Sequence, residues 1–211
     1  SYEWDVAQAG WTREYEHLFS GEKQEILRYF SEQFENLQEV YATLRKSVVH
    51  SDVNDFNIVV TDDLLAPEVR GIIDYGDAIR TQIINDLATT IAYAVMGVPD
   101  PLCAALPLVR GYHNSFPLLA VELEQLFVLV AMKLIISVSK SAINRQKEPD
   151  NAYLLVSEAP AWELLLKWRK LSRDFAHYSF RHACGFSAHP QEKAFRDWSA
   201  NQSLSLSSLF P

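Results

Sequence analysis

Apolar residues recur every three or four positions along most of the chain, the spacing of helices that bury one face. The first stripe, within residues 21–46, comprises Ile26, Leu27, Phe30, Phe34, Leu37, Tyr41 and Leu44. Similar spacing predicts helices over residues 83–95, about 119–145 and 157–184, with a shorter helix that ends near residue 111. The pattern therefore predicts a mainly helical protein.

Between the first two stripes, short runs of β-branched residues replace the helical spacing. These runs are SVVH, NIVVT and EVRGIIDY, and a turn rich in Asp, DDLLAP, separates the last two. We interpret them as one small β-hairpin inserted near residue 50, so the predicted fold class is mainly α (α+β). Residues 1–185 are predicted to form one domain, followed by a Ser-rich tail or linker over residues 186–211.

Composition narrows the range of functions. The net charge of −8 argues against binding to nucleic acid or to an anionic membrane surface and suits a cationic small molecule. The longest apolar run, residues 126–138, contains Lys133 and is too short to cross a bilayer, so it predicts a buried helix. The first ten residues do not resemble a signal peptide, and we expect a cytoplasmic protein.

Two polar clusters flank the predicted hairpin, HSDVNDFN before its first strand and IDYGD after its second. Because paired strands bring their outer ends together, Asn57 and Asp74 should lie side by side, with Asp52 across the loop. Carboxylate and amide oxygens suit Mg²⁺, and a second carboxylate can accept a hydroxyl proton. This division of labour is what phosphoryl transfer requires, whereas the simpler alternative is a solvated turn with capping residues.

These motifs carry a family resemblance. HSDVNDFN followed by GIIDYGD resembles the catalytic and metal-binding motifs of the aminoglycoside phosphotransferase and choline kinase family, relatives of the protein kinases. With DLATTIAYAVMG and NAYLLVSEAPAWELL, the chain is most similar to the hydroxylysine kinase branch, which includes kinase-like domains fused to class III aminotransferases. The resemblance implies the helical C-terminal catalytic lobe of a protein-kinase-like fold, with Mg²⁺ as cofactor and ATP or GTP as phosphate donor.

The resemblance also implies roles for individual residues. Asp52 would be the catalytic base or the group that orients the acceptor hydroxyl, and Asn57 and Asp74 would bind Mg²⁺. His50 would support the loop structurally, with proton transfer as the alternative, and Asp86 would brace the loop through backbone hydrogen bonds.

The sequence departs from the family pattern in two ways. Ser51 stands where Gly is commonest, and we expect little consequence from this small residue. Only 49 residues precede His50, and the chain contains no Gly-rich loop and no strand resembling VAIK. The resemblance therefore implies that the N-terminal nucleotide lobe is a missing partner in cis, and we expect the chain to be an inactive fragment when alone.

Four further residues are candidates for binding an amine. Asp55 and Asp77 could face an ammonium group, although exposed loop acids are common. Glu158 and Trp162 lie one helical turn apart and could pair a carboxylate with an aromatic face, the alternative being a first-turn Glu beside a core Trp.

The sequence thus predicts a phosphotransferase with an alcohol acceptor, a small-molecule kinase. The acceptor would be an amino alcohol of the hydroxylysine, ethanolamine, homoserine or aminoglycoside type. The alternative is a non-catalytic, kinase-like binding or regulatory module, serving a fused aminotransferase, that keeps the pocket without the reaction.

Overall fold

The computed structural model describes residues 2–63, 65–147, 158–187, 189 and 191–200, of which 199 and 200 are described by their backbone alone. In these ranges the α-helices are α1 (Gly21–Thr43), α2 (Ile84–Ala94), α3 (Pro101–Ser115), α4 (Ala120–Lys147), α5 (Glu158–Arg169), α6 (Arg173–Ala183) and α7 (Glu192–Ala200). The strands are β1 (Lys46–Val49), β2 (Ile58–Val60), β3 (Val69–Ile72) and β4 (Ile79–Gln82). The predicted mainly helical fold class is confirmed.

Helix α4 forms the centre of the core. It packs against α1, α2, α5 and α6, and nearly every residue from Leu123 to Ala142 is buried. The Trp168 indole of α5 stacks on Phe127 of α4 and donates a hydrogen bond of 3.0 Å to its carbonyl oxygen. Helix α4 is long and apolar enough to cross a membrane, but 89% of its most apolar 18-residue window is buried inside the protein.

The segment before α1 contains a 3-10 helix, Val6–Leu18, that the apolar spacing did not predict. The Asp5 carboxylate caps this helix by accepting the N–H of Ala7 at 3.0 Å. Val6 and Ala9, three residues apart, are both buried, as the three-residue turn of a 3-10 helix requires. The helix packs on α1 and α4 and thereby brings the first residues of the chain to the core.

The β-structure is more extensive than the single hairpin predicted. Strands β2 and β3 form that hairpin, with Ile58 opposite Ile72. Strand β1 instead pairs with β4 in a second two-stranded antiparallel sheet. The residue pattern did not predict β4. Strand β4 was missed because two of its four residues are buried polar groups with distant partners; the Thr81 hydroxyl donates to Asp5 at 2.9 Å.

The C-terminal region also differs from the prediction. The helix expected over residues 157–184 is two helices, because α6 starts anew at Ser172, whose hydroxyl oxygen accepts the N–H of Phe175 at 3.3 Å. Gly185, with φ of 76°, follows the end of α6, as predicted. Helix α7 lies within the segment predicted as a tail. Residue 157 and residues 201–211 lie outside the described part of the chain.

Candidate active site

The loop between β1 and β2 contains His50, which connects the two polar clusters. Its Nδ1 accepts the N–H of Asp52 at 3.3 Å, so the ring proton is on Nε2, which donates to the carbonyl oxygen of Ile73 at 2.8 Å. The imidazole is 8% exposed and lies 4.8 Å from the Tyr75 ring. Because both ring nitrogens bond to the backbone, this arrangement suits a structural role better than proton transfer.

Ser51 adopts a strained backbone conformation and is held from two sides. Its φ is 70°, in the left-handed region that costs a residue with a Cβ roughly 1–2 kcal/mol. The N–H of Ser51 donates to Asp86 Oδ1 at 2.9 Å, and its carbonyl oxygen accepts a hydrogen bond of 3.4 Å from Lys133 Nζ. Asp86 thus makes the backbone contact that a brace requires. The conformation gives a physical reason why Gly suits this position, and our expectation that Ser51 has little consequence stays a prediction.

Asp52 lies in the middle of a hydrogen-bond network. Its Oδ2 accepts the side-chain amides of Asn54 at 3.0 Å and Asn57 at 3.1 Å. Burial raises the pKa of the Asp52 carboxyl; the Asp77 carboxylate adds to the rise, and Lys133 opposes it. A raised carboxyl pKa makes a better proton acceptor, so the environment of Asp52 suits a general base.

Asn57 and the strand end that carries Asp74 lie together, as the hairpin pairing requires. The N–H of Ile73 donates to the Asn57 carbonyl oxygen at 2.9 Å. The Asn57 side-chain amide nitrogen also donates to the Asp52 carbonyl at 2.9 Å, which leaves its Oδ1 turned away from Asp52. Asp74 is exposed and left-handed, with φ of 61°, and its Oδ1 accepts the N–H of Gly76 at 3.4 Å.

These oxygens fit a magnesium ion bound mainly through substrate. One carboxylate and one amide oxygen are hard ligands, and Mg²⁺ takes its remaining positions from water and phosphates. Among the residues that the structure describes, no group of three or more His, Cys, Asp and Glu could hold a metal. Asn57 and Asp74 would therefore hold the ion only together with a phosphate ligand, and it would neutralise charge on the transferring phosphate.

The two loop acids proposed for amine binding have different surroundings. Asp77 is half-buried, forms a side-chain hydrogen bond with Tyr2, and acts electrostatically on Asp52. Burial raises the pKa of the Tyr2 hydroxyl, and the hydrogen bond to Asp77 adds to this rise. Asp55 is exposed in the 3-10 helix Asp55–Asn57. Asp77 therefore belongs to the Asp52 cluster, whereas Asp55 faces solvent.

Glu158 and Trp162 lie in a different cavity, of about 440 Å³. Glu158 forms an ion pair with Arg145, and Lys23 lies 4.8 Å from the centre of the Trp162 ring. Both side chains therefore have cationic partners within the protein. No residue of the loop 50–57 lines this cavity, so their assignment to the substrate stays a prediction that the geometry does not support.

Sequence reasoning missed three residues beneath the loop, the cation Lys133 and the aromatic residues Trp4 and Tyr93. Lys133 Nζ lies 5.4 Å from the Trp4 ring and 5.7 Å from the Tyr93 ring, beneath the loop. The signal for Lys133 was in the sequence: a lone cation within the longest apolar run. We used it only as evidence against a membrane span. Trp4 and Tyr93 carried no such signal, because aromatic residues are ordinary core components.

Comparison with known proteins gives the site its family context. The profile of the phosphotransferase enzyme family matches residues 2–120, which include the loop, both strand pairs and α2. Hydroxylysine kinase from Danio rerio is 26% identical over 175 residues, covering 81% of this chain and 49% of that protein. Hydroxylysine kinase from Xenopus laevis is 30% identical over 174 residues, covering 77% of this chain and 46% of that protein.

Hydroxylysine kinase from Mus musculus is 28% identical over 148 residues, covering 67% of this chain and 39% of that protein. The chain thus spans about half the length of the curated relatives it matches, or less. No solved structure matches it. Because the family profile covers more than half of the chain, including the paired motifs, the chain belongs to the phosphotransferase enzyme family. The predicted resemblance to this family and to hydroxylysine kinases is confirmed, whereas the predicted likeness to domains fused to aminotransferases stays a prediction.

Proposed function

We propose that the chain is the catalytic lobe of a small-molecule kinase, which transfers the terminal phosphate of ATP or GTP to a hydroxyl group. The observation that carries this proposal is the placement of Asp52 against Asn57, with the Asp74 strand end hydrogen-bonded to Asn57. Asp52 accepts the hydroxyl proton, while Asn57 and Asp74 would hold Mg²⁺, which would supply positive charge to offset that of the transferring phosphate. His50 and Asp86 keep the loop in position.

The proposed acceptor is an amino alcohol. Relatives over most of the chain are named hydroxylysine kinase, which supports an acceptor that carries an ammonium group beside its hydroxyl. We infer that the half-buried Asp77 attracts that ammonium, because its carboxylate acts electrostatically on Asp52, which would face the acceptor hydroxyl. Hydroxylysine, ethanolamine, homoserine and aminoglycosides are the acceptors to test, in a cytoplasmic setting.

A second lobe would complete the site. The hairpin of β2 and β3 and the residues that flank it expose a set of large apolar side chains: Phe56, Val59, Val60, Leu65, Val69, Ile72, Ile73 and Tyr75. An exposed apolar surface of this kind is typical of an interaction site. Together with the greater length of the relatives, it supports a nucleotide-binding lobe seated on the hairpin, without which the chain is inactive.

The test uses the longest natural protein that contains this chain, assayed with Mg²⁺-nucleotide and the four acceptors. Asp52→Asn should lower kcat by roughly 10³-fold or more, because general-base catalysis and the orientation of the nucleophile are lost together. Asp174→Asn removes the same charge from an exposed position on α6 and should leave kcat unchanged. Equal turnover in Asp52→Asn and wild type would contradict the proposal.

The alternative is a non-catalytic module that binds a cationic ligand, which the acidic cluster of Asp52 and Asp77 favours. Calorimetry of the same protein separates the two functions. The kinase binds both Mg²⁺-nucleotide and an amino alcohol, whereas the module binds the amino alcohol alone.

A further inference from the structure

Lys133 is the least expected side chain near the candidate site. It is 2% exposed in the middle of α4, although lysine is almost never fully buried unless it is paired. In the described part of the chain, its ammonium has no carboxylate at ion-pair distance and one hydrogen bond, to the Ser51 carbonyl oxygen at 3.4 Å. A buried ammonium with three donors and one such acceptor is costly to keep.

The surroundings of Lys133 explain what compensates this charge. Two aromatic rings, Trp4 and Tyr93, lie at cation–π distances of 5.4 and 5.7 Å. Four carboxylates act on the ammonium beyond contact distance: Asp52, Asp77, Asp5 and Asp86. Charges interact strongly across the interior, where the dielectric constant is low, so the ammonium is a shared counter-ion for these acids.

The backbone of Ser51 connects Lys133 to the proposed chemistry. Asp86 accepts its N–H and Lys133 donates to its carbonyl, so opposite charges hold both polar groups of the residue before Asp52. The left-handed conformation of Ser51 is strained and persists only where its surroundings enforce it.

We propose that Lys133 is a positioning residue of the phosphoryl transfer, holding the strained Ser51 peptide so that Asp52 faces the acceptor hydroxyl. The inference rests on the proposed function. Lys133 does not touch the reacting atoms; it acts through the backbone on Asp52 and, electrostatically, on the pair of Asp52 and Asp77. Lys140, on the same helix, instead pairs directly with the Glu3 carboxylate.

Lys133→Met tests the assignment, because methionine keeps an unbranched chain of similar length without the charge. Lys140→Met is the matched control: Lys140 lies two turns along α4 and also beside a Trp ring, at 5.4 Å, but its ammonium pairs with the Glu3 carboxylate. Two readouts are needed, the hydrogen exchange of backbone amides 51–57 in this chain and the kinetic constants of the longest natural protein that contains it.

We expect Lys133→Met to accelerate amide exchange over residues 51–57 about tenfold, through loss of a charge-assisted hydrogen bond. In the same variant, kcat should fall about 10²-fold with the acceptor KM little changed, as for a misplaced catalytic group. Lys140→Met should change neither exchange nor kcat.

The outcomes separate the inference from the function on which it rests. Unchanged loop exchange in Lys133→Met would overturn the assignment of Lys133, whatever the activity. A fall in kcat that only follows a loss of folded protein would overturn it too. If the wild-type protein transfers no phosphate to any acceptor, the proposed function fails, even where Lys133→Met loosens the loop.

Discussion

The loop 50–57 and the β2–β3 hairpin carry the two parts of the candidate site, but they are supported very differently. In the loop, His50, Ser51 and Asn57 are 5–8% exposed, and hydrogen bonds tie Ser51 to α2 and α4. In the hairpin, Leu65 is 97% and Val69 66% exposed. The loop is therefore part of the helical body, whereas the hairpin projects from it.

This difference shows that the helical body, and not the hairpin, holds the candidate site in position. The body fixes Asp52 from below, through backbone contacts that do not require a substrate. The hairpin carries Asp74 with little packing of its own, and β2 and β3 pack chiefly on each other. Changes beneath the loop should therefore alter the folded stability of this chain, and changes on the hairpin should not.

The largest effect is expected at Lys133. Burial lowers the pKa of its ammonium to about 8, against the pull of Asp52, Asp77, Asp5 and Asp86. Between pH 8 and the ordinary value of 10.5 the unfolded chain binds more protons than the folded one, so the free energy of unfolding rises with pH. The lowered pKa means that the charged form of Lys133 costs the folded state roughly 3 kcal/mol relative to the neutral form.

Lys133→Met should therefore raise the free energy of unfolding below pH 8 by up to about 3 kcal/mol and remove its rise between pH 8 and 10.5. Urea unfolding of wild type and variant at several pH values measures the difference between their free energies of unfolding. The contributions of the other titrating groups are common to both proteins and cancel in that difference. A variant less stable than wild type at neutral pH would show that the ammonium stabilises the fold.

A smaller effect of opposite sign, a loss of stability, is expected at Asp86, which braces the loop. Asp86→Ala removes the acceptor of the Ser51 N–H and should lower the free energy of unfolding by about 2 kcal/mol, the value of a hydrogen bond to a charged group. Asp86→Asn retains an acceptor oxygen and should lose less than half as much. Equal losses in urea unfolding would mean that this hydrogen bond is not the source.

Relief of the backbone strain at Ser51 should raise the free energy of unfolding by less than about 1 kcal/mol. Ser51→Gly accepts φ of 70° without a Cβ penalty but orders a more flexible residue, so the free energy of unfolding should rise by about 0.5–1 kcal/mol. Ser51→Ala keeps the Cβ and should show no gain. Equal stability of the two variants in urea would contradict the strain.

The smallest effect is expected on the hairpin. Leu65→Ser and Val69→Thr change exposed side chains and should leave the free energy of unfolding within about 0.5 kcal/mol of wild type. Denaturant unfolding of this chain measures both. A loss above about 1 kcal/mol would show that the hairpin packs on the body, and the contrast between the two regions would disappear.

How much could be predicted depended on whether the signal was local. The stripe of α1 and the continuous apolar run of α4 predicted two core helices, because burial imposes a period on neighbouring residues. Strand β4 was missed because its partner β1 lies 30 to 36 residues earlier and because its buried residues Thr81 and Gln82 are polar. The break between α5 and α6 was missed because the apolar spacing continued across the capping residue Ser172.

The sequence by itself determined the helical class, the hairpin and the order of the paired motifs that carry Asp52, Asn57 and Asp74. Local spacing and residue chemistry suffice for these. Only the tertiary structure decided that Lys133 lies under the loop and that Glu158 is engaged by Arg145. Such contacts join residues far apart in the chain, and their energies depend on burial, which no short stretch of sequence contains.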